Sequence, residues 1–237
     1  MRKVFFLLFI LMFAISCSND EDEKADISIN SSHIMHNGHE FVDLGLPSGL
    51  LWATCNVGAY SPSETGGYYA WGETKMKEVN NYNDESYKWD YVNSYTYSGE
   101  FSKYNTSDKK NTLENSDDVA TVLWGSGCRI PTYDEYKELY TNCTWTKVFY
   151  NNIYGYIIEG HNGNFIFLPA AGIISYVSGN FPNPSTTIQA YSSVPYYWSS
   201  SLVVNENQYA YSFTDSYSGL EQRLRTEGLT IRPVLDK

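Results

Sequence analysis

Two short apolar runs, Tyr156-Ile157-Ile158-Glu159 and Asn164-Phe165-Ile166-Phe167-Leu168, flank Gly160-His161-Asn162-Gly163, and this arrangement constrains the fold more than any other stretch. Asn-Gly tolerates the positive φ that a tight reversal between twisted strands requires, so the pair predicts an antiparallel hairpin. More strand-length runs follow: Tyr196-Tyr197-Trp198-Ser199-Ser200, Tyr209-Ala210-Tyr211-Ser212-Phe213 and Leu229-Thr230-Ile231-Arg232-Pro233-Val234, separated by Ser, Asn, Gly and Pro. Upstream, Glu40-Phe41-Val42-Asp43-Leu44, a Pro47-Ser48-Gly49 turn and Leu50-Leu51-Trp52-Ala53 repeat the pattern, and Gly67-Tyr68-Tyr69-Ala70-Trp71-Gly72 reads as a short aromatic strand. No tandem repeat is present.

Helical signals occur twice. Asp117-Asp118-Val119-Ala120-Thr121-Val122-Leu123-Trp124 has Asn115 or Ser116 as its expected cap, acids in the first turn and Gly125 as its stop. Thr132 through Tyr140 carries a capping box, Thr132 with Glu135, and places Tyr136, Leu139 and Tyr140 on one buried face. Between residues 73 and 115 the chain is polar with scattered Tyr and Trp, which predicts a long, packed loop. The fold class is therefore α+β: two helices with twisted antiparallel sheets and long loops.

The N-terminus reads separately. Arg2 and Lys3 precede about a dozen apolar residues, 4–15, too few to span a bilayer and right for the core of a signal peptide. Ala14-Ile15-Ser16-Cys17 resembles the lipobox of bacterial lipoproteins, in which the cysteine is lipidated and becomes the mature N-terminus. Acyl chains bury methylenes at roughly 0.8 kcal/mol each, so several chains on Cys17 would anchor the protein firmly. The acidic run Asp20-Glu21-Asp22-Glu23 resembles the signal that sends lipoproteins of Bacteroidetes-type bacteria to the outer face of the outer membrane. The expected organisation is a signal peptide at 1–16, a flexible tether at 17–35 and a domain at 36–237.

Charge narrows the partners. The 237-residue chain has a formal net charge of −11, and loss of Arg2 and Lys3 with the leader makes it more acidic still. Nucleic-acid binding rests on Lys and Arg neutralising phosphates, and no basic cluster is present. Electrostatic adsorption to anionic lipid is disfavoured for the same reason, which leaves membrane attachment to Cys17. The 22 Tyr, 11 Phe and 6 Trp, in a setting of Asn, Ser and Gly, match the palette of adaptable binding surfaces and equally that of β-rich cores. Once Cys17 is lipidated, Cys55, Cys128 and Cys143 remain, an odd number with no CxxC spacing; a Cys55–Cys143 bridge and inert buried thiols are both open.

Few residues promise chemistry. His33, His36 and His39 are spaced three apart, but at the junction of tether and domain they read as a solvated spacer rather than a metal site. Glu159 and His161 read as a polar turn, and Gly125-Ser126-Gly127 lacks the strand–Ser–helix setting of a nucleophile elbow. Asp108, Glu114, Asp117 and Asp118 could offer oxygens to Ca²⁺, without EF-hand spacing. No catalytic residue, metal site or cofactor is assigned.

Several segments in order resemble a known family: Phe41-Val42-Asp43-Leu44-Gly45-Leu46-Pro47-Ser48-Gly49-Leu50-Leu51-Trp52-Ala53-Thr54-Cys55-Asn56-Val57-Gly58-Ala59, Tyr69-Ala70-Trp71-Gly72-Glu73-Thr74, Arg129-Ile130-Pro131-Thr132, Phe167-Leu168-Pro169-Ala170-Ala171-Gly172, Tyr197-Trp198-Ser199-Ser200-Ser201 and Ile231-Arg232-Pro233-Val234. Together they resemble the Fibrobacter succinogenes major paralogous domain of Bacteroidetes surface lipoproteins, over residues 40 to 236. The resemblance implies a fold similar to that of formylglycine-generating enzymes and C-type lectins. Arg129-Ile130-Pro131-Thr132 with Glu135 and Tyr136 resembles the Arg-Leu-Pro-Thr-x-x-Glu-Trp helix start of those enzymes, and Gly228-Leu229-Thr230-Ile231-Arg232 resembles their terminal strand. The paired C-terminal catalytic cysteines have no counterpart, since no cysteine follows Cys143, and the Glu-Pro-Asn or Gln-Pro-Asp motif of C-type lectins is absent. Fold alone does not carry function across that gap.

What remains is a stable frame presenting variable loops. The expectation is a non-catalytic module, outer-membrane anchored and facing the exterior, that binds an extracellular glycan or protein. Trp52, Trp71, Trp124 and Trp198 are expected in the core. Ligand contacts are expected from residues 75–112 and from Tyr196, Asn205, Asn207, Tyr209, Tyr211, Tyr217 and Arg225, with inward and outward alternation of the tyrosines as the competing explanation. The rival functions are an enzyme on extracellular glycan or peptide, marked by a concave pocket with convergent acids, and a subunit of a surface assembly or fimbria.

Overall fold

A computed structural model describes residues 33–78, 81–82, 86–89, 101–177, 185–189, 194–215 and 219–237, with backbone only at 176–177 and 185–189. The leader, Cys17 and Tyr217 lie outside the described residues.

The chain begins its described part as a strand. β1 (His33–His36) pairs antiparallel with β2 (His39–Asp43), which pairs with β3 (Leu51–Ala53). The turn between the first two is Asn37-Gly38, with φ of 49° and 81°, the paired positive values of a two-residue type I′ reversal. His33, Ile34 and Met35 thus belong to the sheet and not to the tether, and the three histidines sit on a hairpin rather than in a solvated spacer. After the long loop come α1 (Val119–Trp124), β4 (Cys128–Arg129) and α2 (Tyr133–Asn142). The remainder is strand: β5 (Thr144–Tyr150), β6 (Ile153–Glu159), β7 (Phe165–Pro169), β8 (Ile173–Val177), β9 (Ser185–Gln189), β10 (Tyr197–Leu202), β11 (Tyr209–Phe213), β12 (Leu220–Leu224) and β13 (Val234–Leu235). The class is mixed α+β, mostly antiparallel sheet with two helices among the described residues.

The strands form a five-stranded sheet, β1-β2-β3-β13-β4, two three-stranded sheets, β5-β6-β7 and β10-β11-β12, and the β8-β9 pair. β13 inserts between β3 and β4, so the last strand of the chain lies inside the sheet that its first strands begin. Side chains alternate across that sheet, and both faces are covered. Phe41, Leu51, Ala53 and Leu235 join one core with Val119, Ala120 and Trp124 of α1, while Val42, Trp52 and Val234 join a second with Tyr136 and Leu139 of α2. Trp52, Trp71, Trp124 and Trp198 are all buried, as expected.

The helices follow their local signals, with one shift. Thr132 caps α2: its hydroxyl accepts from the Glu135 amide, and the Glu135 carboxylate accepts from the Thr132 amide at 2.7 Å. Arg129 grips the same carboxylate with both terminal nitrogens, at 2.7 and 2.6 Å, and reaches Asp236 at 2.7 Å. α1 starts two residues later than the acids suggested. Asp118 is its cap, accepting from the Thr121 amide at 3.0 Å and from the Ile130 amide at 2.8 Å. Burial pushes that carboxyl up to about 6 despite these bonds.

The 160–163 reversal joins β6 to β7 as predicted, with Gly163 at a φ of 80°. A second two-residue reversal, Asn151-Asn152 at φ of 47° and 65°, joins β5 to β6. Cys55, Cys128 and Cys143 are free thiols. No helix of the described residues is long and apolar enough to cross a membrane.

Candidate functional site

Of the predicted contact residues, Tyr209 and Tyr211 lie on the β10-β11-β12 sheet and Asn205 and Asn207 on the turn between β10 and β11, and the register of the sheet decides which of them act together. Tyr209 opposes Leu224, Tyr211 opposes Gln222 and Phe213 opposes Leu220. Residues two apart on a strand share a face, so these six side chains line one side of the ribbon. The strip grades from core to solvent. Phe213 is fully buried, with its ring 5.2 Å from Tyr136 in a near-parallel stack and 5.1 Å from Trp145. Tyr211 is half-buried, and its ring lies 4.5 Å from that of Tyr133, the first residue of α2. Tyr209 is half-buried, while Gln222 and Leu224 are exposed, Leu224 by 42%. Tyr133, Tyr211 and Tyr209 therefore form an aromatic strip that is anchored at one end by core packing and open to water at the other.

The tip beside the strip is ordered by its backbone. Between β10 and β11 the Val203 amide donates to the Tyr209 carbonyl at 3.0 Å and the Tyr209 amide to the Glu206 carbonyl at 2.8 Å. Asn205 sits at a φ of 67°, a left-handed position that Asn accepts better than most residues. Val204, Asn205, Glu206 and Gln208 are exposed, and Asn207 is half-buried.

Arg225 is not a surface contact. It is 0% exposed, and its guanidinium is enclosed by aromatic rings, with Phe101 at 4.4 Å, Trp71 at 4.9 Å and Tyr87 at 5.4 Å from the guanidinium carbon. Its donors go to carbonyls and one phenol: Tyr104 at 3.0 Å, Asn207 at 2.9 Å, Lys103 at 3.0 Å and the Tyr87 hydroxyl at 3.1 Å. Burial lowers its pKa, and the same enclosure pushes the Tyr104 phenol up to about 12. Cation–π attraction and carbonyl dipoles replace the carboxylate that a buried cation usually finds. The tip at Asn207 and the loop at 103–104 are thereby held to one another from below.

Tyr196 also leaves the predicted set. It is 8% exposed and lies under Arg223, which stacks on its ring at 4.6 Å and donates to its hydroxyl at 3.0 Å. Arg223 opposes Ala210, so this pair occupies the face of the ribbon opposite Tyr209 and Tyr211. The aromatics expected to project from residues 75–112 instead turn inward where they are described: Tyr82, Tyr87, Trp89, Phe101 and Tyr104 are all buried. Tyr133 went unassigned, although its place one residue beyond the Thr132 cap fixes it on the helix start.

The acids weighed for calcium have other partners. Asp117 meets Lys88 at 2.6 Å, Lys103 and the Tyr104 hydroxyl at 2.8 Å, and these neighbours hold its pKa below the usual carboxylate range. Glu114 pairs with Lys103 and Lys110, each at 2.6 Å, and Asp108 accepts backbone amides of Tyr104, Asn105 and Lys110. The histidines do not converge either: His33 meets Glu40, His36 meets the Ser126 carbonyl at 2.9 Å, and His39 stacks on Trp124 at 3.7 Å. No protein-family model, no curated protein and no solved structure matches this chain.

Proposed function

We propose that this protein is a cell-surface lipoprotein, anchored to the outer membrane through Cys17, whose domain is a non-catalytic glycan-binding module on a C-type-lectin-like frame. The observation that carries the binding reading is the placement of Tyr209 and Tyr211 on one solvent-reaching face, extended by Tyr133 and flanked by the polar Gln222. Aromatic faces of this kind stack on the apolar faces of sugar rings, while Asn and Gln amides supply both donors and acceptors for hydroxyls. A rigid strip loses little entropy on binding, because Phe213 and Arg225 fix its backbone from within.

The test is a glycan-array screen of the purified full chain, with and without calcium, repeated with Tyr211→Ala. Binding that the substitution abolishes supports the reading. Silence across the array overturns the glycan assignment and moves the strip, with its exposed Val204 and Leu224, to a protein ligand. Radiolabelled palmitate incorporation, lost in Cys17→Ser, tests the anchor.

A further inference from the structure

A different part of the molecule contains two hollows that meet at one carboxylate. Glu40 on β2 and Thr54 just beyond β3 face each other across the strands, the Thr54 amide donating to the Glu40 carbonyl at 2.9 Å. Both residues line an open cleft of about 540 Å³, with His39, Tyr60, Leu123 and Trp124 around it. Both also line a small niche of about 40 Å³, walled by Tyr150, Phe165 and Phe167. The cleft is in the size range of small-ligand sites. The niche has room for an alkyl group or a few waters.

The charge of the lining is one-sided. Glu40 is its single carboxylate, and no Lys or Arg lines either hollow among the described residues. His33 engages one carboxylate oxygen of Glu40. Among the described residues the other receives only the Thr54 hydroxyl at 3.3 Å, and that hydroxyl lies equally close to the Glu40 backbone carbonyl. The Glu40 side chain remains 39% exposed, so it can accept a further donor. Burial lowers the pKa of His39, which favours a neutral ring against Trp124 rather than a competing cation.

Ring faces complete the lining. Tyr150 and Phe167 pack edge to face at 5.4 Å, and Tyr60 stands at the rim with its side chain 97% exposed. Such faces attract cations. An anion would meet the Glu40 carboxylate, and His33, which already engages that carboxylate, is the one group beside it that can carry a counter-charge among the described residues. The Thr54 hydroxyl is already committed to Glu40 and offers no free donor. An ammonium group brings its own three donors.

We propose that Glu40 and these two hollows form a binding site for a small organic ammonium compound, an amine carried on an apolar or aromatic body. Charge complementarity with Glu40 selects the ammonium, and the Leu123, Trp124 and Tyr60 rim takes the apolar body. None of these residues belongs to the Tyr133–Tyr211–Tyr209 strip, so this site stands or falls independently of the glycan reading.

Isothermal titration of the full chain with phenethylamine, phenethyl alcohol and Nα-acetyl-lysine N-methylamide tests it. Phenethylamine is expected to bind, and the alcohol, which has the same body without the charge, to bind about tenfold more weakly or worse. Glu40→Gln is expected to weaken the amine about tenfold, and Tyr209→Ala to leave it unchanged. Because Glu40→Gln also disturbs His33, Leu123→Arg provides a second probe: its side chain is 54% exposed, so the fold tolerates it, and the added cation at the rim should repel the amine several-fold. Equal binding of amine and alcohol, absence of amine binding, or indifference to both substitutions overturns the site. Tighter binding of the lysine derivative than of phenethylamine overturns the small-compound occupant in favour of a protein's lysine side chain.

Discussion

The Asn207 carbonyl accepts a hydrogen bond from Nη1 of Arg225 at 2.9 Å, and the same nitrogen donates to the Tyr104 carbonyl at 3.0 Å. One buried nitrogen thus ties the β10–β11 tip to a loop more than a hundred residues earlier. The cation is desolvated, and rings and carbonyl dipoles compensate it. Arg232, also fully buried, shares the carbonyl part of this device, donating to the carbonyls of Ala53, Thr54 and Phe167 and to the Asn56 side chain. Because each fork reaches several segments, its loss is felt by all of them.

Arg225→Ala is therefore expected to cost about 3–5 kcal/mol, from the cavity and from carbonyls left without donors. Urea denaturation monitored by Trp fluorescence measures it. A loss below about 1 kcal/mol would show that water replaces the guanidinium without penalty.

Tyr209→Ala and Tyr211→Ala separate binding from stability. Each is half-buried, so each is expected to weaken ligand binding about tenfold while the fold survives. Phe213→Ala, on the same strand face but fully buried, is expected to lose about 3–5 kcal/mol of stability. Thermal melts alongside binding titrations distinguish the two classes, and equal destabilisation by all three would identify the strip as core.

Stability should rise on mild acidification. Burial raises Asp118 to about 6 and Glu227 to about 7, so between their unfolded and folded values the folded chain binds more protons than the unfolded one. Unfolding free energy is then lowest above pH 7 and grows as the pH falls to about 5. Asp108, Asp117 and Glu135 are held low in the fold, and their contribution is lost as the pH falls below about 4, through their folded values. Glu227→Gln should flatten the upper part of the rise, since glutamine takes up no proton, and the fold should tolerate it because one oxygen of Glu227 has no hydrogen-bond partner among the described residues. Urea titrations from pH 3 to 8 check the shape; a monotonic increase with pH would contradict it.

The two hairpin glycines should respond differently. A Cβ on Gly160 would lie 1.9 Å from the Leu44 carbonyl oxygen, so Gly160→Ala is expected to cost about 3 kcal/mol or more. Gly163 has open space around it and a φ of 80°, and Gly163→Ala should cost only about 1 kcal/mol of backbone strain. Similar melting temperatures for the two variants would overturn this assignment.

Local features were readable where their partners are close in the chain. Thr132 and Glu135 are three residues apart, and their capping box forms as the residues require. Asn37-Gly38 and Asn151-Asn152 carry the same kind of signal, but of the strands they join only 40–44 and 156–159 stand out locally; His33–His36 and Thr144–Tyr150 become strands by pairing with them across the turn. The period of two along 209–213 is equally local, and it places Tyr209 and Tyr211 together. It leaves open which face is covered; α2 decides that by laying Tyr133 and Tyr136 against Tyr211 and Phe213. Arg225 looked like a solvent-facing cation because nothing within a few residues of it predicts a cage of rings supplied by residues 71–104.

Residue order alone settles the α+β class, the Thr132 cap of α2, the 160–163 reversal and the tryptophans of the core, since each depends on short-range geometry or on the free energy of burying a large apolar side chain, whereas the cap of α1 falls on Asp118 and not on Asn115 or Ser116. Only the tertiary structure decides that β13 inserts between β3 and β4 in the first sheet, that Arg225 braces the surface instead of forming it, and that Tyr133 joins Tyr209 and Tyr211. Those outcomes depend on which distant segments pack together, and burial of a charge or exposure of a ring is a property of that packing rather than of the residue.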